Sequence, residues 1–255
     1  MSTAPAHRRL TVSDYLAIEN DSSTKNEFYQ GEITAMAGAT VAHNIIAGNI
    51  FAHLHTQLRG KDCRPFNSDQ RIKIERAGFY TYADVSVICG QVQVAKDDPL
   101  SATNPRLIVE ILSPTTEFID KRRKLKLYLQ LDSLQEYVIV EQDSAYMNKY
   151  VRNDDGTWTM SVIEGLETSV DLTSIGCQLR TADIYDGVTF PPSPEPQPRT
   201  QLLAKRLRQY LQSLPVISDF RPLTSASPHA LVHRIRNVYF PSPRRAAYRS
   251  GCRGS

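Results

Sequence analysis

No stretch of the 255-residue chain stays apolar for the ~18 residues that a membrane-spanning helix requires. The first twenty residues lack an apolar core too. His7, Arg8 and Arg9 lead straight into Thr11, Ser13 and Asp14, which is too polar for a secretory signal. Both absences point to a cytoplasmic protein with no membrane partner. Cysteines are few. Cys63, Cys89, Cys177 and Cys252 are widely scattered, match no zinc spacing and are expected to be small unbonded thiols. Internal repeats are absent, which excludes solenoids and propellers. A strong overall charge is absent as well, at +3, but the balance is uneven. From Val216 to Ser255 seven arginines face one acid, Asp219, a surplus of six, so residues 1–215 carry a deficit of three. The folded part is mildly acidic, and any contact with nucleic acid must rest on local patches.

What is present suffices for a core, since hydrophobic residues make up 41% of the chain and charged ones 22%. Leu10 to Asn20 reads as a short helix capped by Thr11 or Ser13. Asn26 to Met36 reads as a hairpin turning at Gln30-Gly31. Thr40 to Arg59 is a longer helix, with Val41, Ile45, Gly48, Phe51 and His55 at helical spacing and Ile46, Ile50, Leu54 and Leu58 widening its apolar stripe. Strands are expected over Pro65 to Glu75, Tyr82 to Cys89, Arg106 to Leu112 and Glu136 to Gln142. The middle two are dense in Val and Ile, as strands covered on both faces are. A helix from about Thr116 to Leu131, announced by Ser113 and Pro114, makes the last two strands a crossover unit. Ala145 to Val151 and Trp158 to Ile163 form a hairpin around Asn153-Asp154-Asp155-Gly156. After Phe190 the composition changes to a proline-rich linker over residues 191–200. An amphipathic helix over 201–214 and a basic, disordered tail over 215–255 follow. The class is α/β.

Glu110 interrupts Leu107-Ile108-Val109-Glu110-Ile111-Leu112, which otherwise reads as a central strand. A carboxylate there loses hydration at a cost of several kcal/mol unless it is paired or binds metal. Asp84 opens a second such run, Asp84-Val85-Ser86-Val87-Ile88. Two acids on neighbouring core strands repel unless something cationic lies between them. They could equally cap loops or pair with a base such as Arg106. The helix after Glu110 is basic, Asp120-Lys121-Arg122-Arg123-Lys124-Leu125-Lys126. There Asp120, Lys124, Leu127 and Leu131 share a stripe, which turns Lys124 inward and Arg122, Arg123 and Lys126 outward. An inward lysine beside an acidic strand suits action on a phosphate or its attacking water. His43, in the first turn of the long helix, and Glu27, at the early hairpin, carry no signal alone. His53 and His55 read as structural or solvent-facing.

Tyr82-Ala83-Asp84-Val85-Ser86-Val87 and Asn104-Pro105-Arg106-Leu107-Ile108-Val109-Glu110-Ile111-Leu112-Ser113-Pro114-Thr115-Thr116 together resemble the Uma-type restriction endonuclease family of the PD-(D/E)xK nuclease superfamily. The likeness runs on through Asp120, Lys124, Tyr128 and Ser133-Leu134-Gln135-Glu136-Tyr137-Val138. It extends to Gly165-Leu166 and Ser174-Ile175-Gly176-Cys177, and upstream to Glu27-Phe28-Tyr29-Gln30-Gly31-Glu32-Ile33 and His43. It covers a domain of residues 8–190. The resemblance implies a restriction-endonuclease-like core, a mixed central β-sheet flanked by α-helices. It further implies Asp84 and Glu110 as ligands of Mg²⁺ (or Mn²⁺), Lys124 as the catalytic lysine, and Glu27 and His43 as further site residues. The implied activity is metal-dependent endonuclease cleavage of DNA. Two places depart from the superfamily pattern: Leu112 stands where its lysine usually lies, and Ala83 where a proline usually precedes the first acid.

Two other functions stay open. A catalytically silent nucleic-acid-binding or interaction module could keep the fold and its acids, and another phosphoester could be the substrate, since fold does not fix chemistry. Cutting both strands of a duplex calls for two sites, so a homodimer is a further expectation.

Overall fold

The computed structural model describes residues 9–36, 38–112 and 118–192, with the backbone alone at 118–122. The chain divides into a unit Met1–Ser193 and a second unit, Pro194–Ser255. The expected helix over 201–214, the basic tail and nearly all of the proline-rich linker lie outside the described residues, as do Ser113, Pro114 and Thr116.

Helix α1 (Val12–Asp21) starts at Thr11 through a capping box: the Thr11 hydroxyl accepts from the Asp14 N–H, and the Asp14 carboxylate accepts from the Thr11 N–H. The early hairpin forms as expected from β1 (Asn26–Tyr29) and β2 (Glu32–Ala35). Its turn places Gln30 at φ 51° and Gly31 at φ 85°. Only glycine fits at the second position, where a Cβ would come within 2.7 Å of Arg9 Cβ and 3.1 Å of the Leu10 carbonyl. Helix α2 (Val41–Gln57) is capped by Thr40, and its buried line is Ile46, Ile50 and Leu54, continued by Leu58. The stripe expected from Val41 is rotated away from the core, leaving Val41 77% exposed.

The segment expected as one strand over Pro65 to Glu75 is two strands in two sheets. β3 (Cys63–Asn67) and β4 (Arg71–Ile74) are parted by a turn at Ser68-Asp69-Gln70, where the Asn67 side chain accepts from the Asp69 N–H. The segment over Tyr82 to Cys89 divides likewise. β5 (Phe79–Tyr82) ends in one sheet, and β6 (Val85–Cys89) begins in the other after the two-residue link Ala83-Asp84. Asp84 therefore sits where the chain passes between sheets, rather than inside a strand. With β7 (Ser101–Ala102), the first sheet runs β2-β1-β5-β4-β7.

The second sheet is the central one. β8 (Leu107–Leu112), helix α3 (Phe118–Tyr128) and β9 (Glu136–Glu141) form the expected crossover, with β8 and β9 parallel. β10 (Tyr146–Arg152) and β11 (Trp158–Glu164) extend it as an antiparallel hairpin, giving the order β11-β10-β9-β8-β6-β3. Strand alternation on β8 sends Leu107, Val109 and Ile111 to one face, against Ile46, Ile50 and Leu54 of α2. Ile108 goes to the opposite face with Leu127, Tyr128 and Leu131, and Glu110 shares that side. The first core is closed by short elements: the hairpin of β12 (Ser169–Leu172) and β13 (Cys177–Arg180), whose alternate residues Val170, Leu172, Cys177 and Leu179 turn inward, and the single turn α4 (Thr181–Ile184).

The cysteine expectation fails at two positions. Cys63 and Cys89 face each other in the β3–β6 ladder and are joined as a disulfide, while Cys177 is free and buried. Their sequence separation of 26 hides a pairing that the antiparallel register creates. The loop they close includes Asp84. Reduction of this bond is expected to lower stability by roughly 2–4 kcal/mol through the freed chain entropy of the unfolded state. Urea denaturation with and without a thiol reductant reads this directly, and Cys63→Ser should remove the reductant effect.

Candidate active site

Five side chains from five elements meet where the two sheets touch α2 and α3. Glu27 comes from β1, His43 from the first turn of α2, Asp84 from the link between sheets, Glu110 from β8 and Lys124 from α3. Asp84 Oδ2 accepts the Ile111 N–H at 2.7 Å, which continues the β6–β8 ladder by one side-chain bond and fixes the carboxylate beside Glu110. His43 Nε2 lies 3.1 Å from the same oxygen. The His43 position is itself set by the helix cap, since its N–H donates to the Thr40 hydroxyl at 3.1 Å.

Lys124 Nζ lies 2.8 Å from Glu27 Oε1 and 3.5 Å from Glu110 Oε1, with its side chain 20% exposed. The structure thus turns Lys124 inward, as its helical stripe predicts. Arg123 and Lys126 are exposed, and Arg123 lies over the Tyr29 ring. Arg106, the base available to pair the acids, instead donates to the Ser174 carbonyl at 2.8 Å. His53 and His55 are exposed and take no part. Asp120 and Arg122 side chains lie outside the described residues.

Three supporting residues stand outside the site set expected from the sequence. The Tyr128 hydroxyl donates to Glu110 Oε1 at 2.6 Å, and the Thr81 hydroxyl donates to Glu27 Oε1 at 2.6 Å. Tyr128 was findable, because it stands one helical turn after Lys124 on the same face. Thr81 was not, since its role depends on how β1 pairs with β5. Gln142, just after β9, contacts the Thr40 hydroxyl and keeps its amide nitrogen buried without a partner among the described residues.

Charge in this cluster is unbalanced. Three carboxylates are gathered around one lysine and a histidine, all largely removed from water. Glu110 is pushed up to about 7: burial raises it most, Lys124 pulls it back, and the charges of Asp84 and Glu27 raise it further. Burial depresses His43, but its bond to Asp84 and the nearby acids outweigh this, so its pKa is raised. Lys124 is also raised: the charges of Glu110 and Glu27 overcome the effect of burial.

The model of the Uma2 family, described as "Putative restriction endonuclease", matches residues 12–184. This chain belongs to the Uma2 family. An uncharacterized protein of Synechocystis is 34% identical over 182 residues, covering 71% of this chain and 94% of that relative. A second one from the same organism is 31% identical over 164 residues, covering 64% and 93%. Among solved structures, a crystal structure from Anabaena variabilis, described as a putative nuclease belonging to DUF820, aligns with a TM-score of 0.60. The identity is 16%, and the match covers 71% of this chain and 99% of that one. The Uma2 chain accordingly has an α/β fold of the restriction-endonuclease-like kind. The family match contains all five converging residues and stops before the basic tail.

Restriction-endonuclease-like nucleases usually use a divalent metal, so the Uma2 cluster can be tested for fit. Among the described residues no group of three or more His, Cys, Asp or Glu side chains could hold a metal unaided. Asp84 and Glu110 offer hard oxygen donors in a place short of positive charge. Magnesium keeps several waters and is commonly held by one or two carboxylates plus substrate phosphate. The donor set fits such an ion.

Proposed function

We propose that this chain is a metal-dependent endonuclease that hydrolyses phosphodiester bonds of DNA. The observation that carries the reading is the convergence of Glu27 and Glu110 on Lys124, with Asp84 held to the next backbone N–H after Glu110, in a member of the Uma2 family. Asp84 and Glu110 would hold Mg²⁺ or Mn²⁺, which supplies Lewis-acid activation of a water and neutralises charge growing on the phosphate oxygens. The remaining work falls to this chain's own groups. Tyr128 and the Ile111 N–H each occupy one oxygen of the two acids, so both carboxylates are oriented before substrate arrives. Lys124, kept charged by Glu27 and Glu110, can donate to a phosphate oxygen or to the attacking water. Glu27 holds the lysine in place and is itself held by Thr81. His43 braces Asp84 and, when protonated, adds positive charge beside it. Two copies acting together would cut both strands of a duplex.

One observation favours a silent nucleic-acid-binding module: Lys124 is already engaged by two carboxylates, as in a purely structural ion cluster. Supercoiled plasmid separates the readings. The folded wild type is expected to nick it with Mg²⁺, to stop with chelator, and to lose the activity completely on Asp84→Ala. A protein that binds plasmid and Mg²⁺ but never nicks DNA or RNA is the silent module.

A further inference from the structure

Among the described residues, strand β11 is an open edge of the central sheet. It runs for seven residues, Trp158-Thr159-Met160-Ser161-Val162-Ile163-Glu164, with no proline and no charge before its last position. Natural proteins usually blunt such an edge, because its unpaired N–H and C=O groups template pairing with another chain. Other sheet edges among the described residues are guarded or short. β3 carries Arg64 and Pro65, β2 is four residues long with Glu32 at its start, and β7 has two residues. On β11, Met160 is 53% exposed and Val162 48%.

The ladder to β10 fixes which backbone groups face outward. Asn153 N–H donates to Thr157 O at 2.8 Å, and Gly165 N–H donates to Ala145 O at 2.9 Å. Hydrogen-bonded pairs alternate along an antiparallel ladder, so Thr159, Ser161 and Ile163 also turn their backbone groups toward β10. Trp158, Met160, Val162 and Glu164 then turn theirs away from the sheet.

We infer that β11 pairs antiparallel with β11 of a second copy of this chain, about a two-fold axis at Ser161, joining two central sheets into one. This register uses every outward backbone group of the strand. Met160 exchanges both bonds with the partner's Val162, and Trp158 does so with the partner's Glu164. The two Ser161 residues meet at the closely spaced non-bonded position, ~4.5 Å between Cα atoms, where a small side chain fits. Met160 and the partner's Val162 cover each other on one face. The partner's Glu164 arrives opposite Trp158, whose ring carries the Arg152 guanidinium 4.8 Å from its centroid, so the charges at the ends of the seam are complementary. The two Glu164 side chains lie at opposite ends and do not repel. The contact uses no residue of the candidate active site. It deepens the reading of two cooperating sites, and it stands or falls separately from cleavage.

Sedimentation of the full chain across micromolar concentrations is expected to show a reversible monomer–dimer equilibrium. Val162→Pro removes one outward N–H that has no partner among the described residues, and should weaken the dimer by at least about tenfold while circular dichroism keeps the sheet signal. Ser161→Cys, in a Cys252→Ser background, should give a covalent dimer on mild oxidation, and Thr159→Cys in the same background should not. Two results would overturn the proposal. One is a chain that stays monomeric throughout, including because its own residues 193–255 cover the edge. The other is a dimer that neither weakens with Val162→Pro nor cross-links with Ser161→Cys.

Discussion

Lys124→Met is expected to lower metal-dependent cleavage by ~10²–10³-fold while leaving divalent-cation affinity equal or higher. The two effects diverge because Lys124 does two things in one place. Its ammonium lies 2.8 Å from Glu27 and 3.5 Å from Glu110, so it offsets part of the carboxylate charge that would attract a cation. Removing it leaves Glu27, Asp84 and Glu110 with less positive charge nearby, which favours a bound metal. On the proposed reading the same removal takes away the ammonium that would donate to the phosphate or the attacking water. Single-turnover cleavage at saturating Mg²⁺, paired with Mn²⁺ titration calorimetry, reads the two quantities separately. Loss of metal affinity in proportion to rate would make Lys124 a structural counter-charge and sink its catalytic role. Asp84→Asn supplies the contrast, because there both quantities should fall together.

Much of this site was legible in sequence, and the reason is energetic. An ionisable residue inside a run of Val, Ile and Leu has no inexpensive explanation, so Glu110 stands out before any fold is known, and Asp84 stands out less, at the start of a like run. Lys124 is legible because helical periodicity assigns it to the leucine side of a basic helix, against the trend of its neighbours. Glu27 and His43 had no such contrast and entered only through the family resemblance. Glu27 reaches the cluster because β1 pairs with β5, and His43 because the cap of α2 lies over the start of β6; both are facts of tertiary register. The same limit explains the strand errors. Pro65 to Glu75 reads as one strand from its alternation, clearest at Arg71-Ile72-Lys73-Ile74, and Tyr82 to Cys89 from its density in Val and Ile, yet the chain changes sheets at Ser68-Asp69-Gln70 and at Ala83-Asp84. Local pattern reports burial, not which sheet does the burying. The Cys63–Cys89 disulfide was hidden for a like reason, since spacing along the chain does not show which residues face each other across a ladder.

Glu110→Gln is expected to make the metal-free protein more stable above neutral pH while abolishing its response to Mg²⁺. The folded protein holds the Glu110 pKa at about 7, against an ordinary value of 4.5, because burial and the charges of Asp84 and Glu27 outweigh the pull of Lys124. Between those values the folded state binds more protons than the unfolded one. Stability from this group is therefore full below about 4.5 and is lost as pH rises through about 7. The loss amounts to roughly 3 kcal/mol at pH 8. Glutamine keeps an oxygen for the Tyr128 hydroxyl but cannot ionise, so this slope should vanish. His43, whose pKa is also raised, loses its contribution in the same direction as pH rises. The share of that shift set by Asp84 is common to both proteins, and the share set by the Glu110 charge is lost in the variant, which leaves the wild type the steeper of the two. Urea denaturation at pH 5 and pH 8 with chelator should therefore show the wild type falling more steeply than Glu110→Gln. Adding Mg²⁺ at pH 8 should recover ~2–3 kcal/mol for the wild type at a hundred times its dissociation constant, and nothing for the variant. A wild type whose difference from the variant does not change between pH 5 and pH 8 would mean that Glu110 titrates normally. The carboxylate excess would then be answered within the protein, and the case for a cation at Asp84 and Glu110 would lose its electrostatic basis.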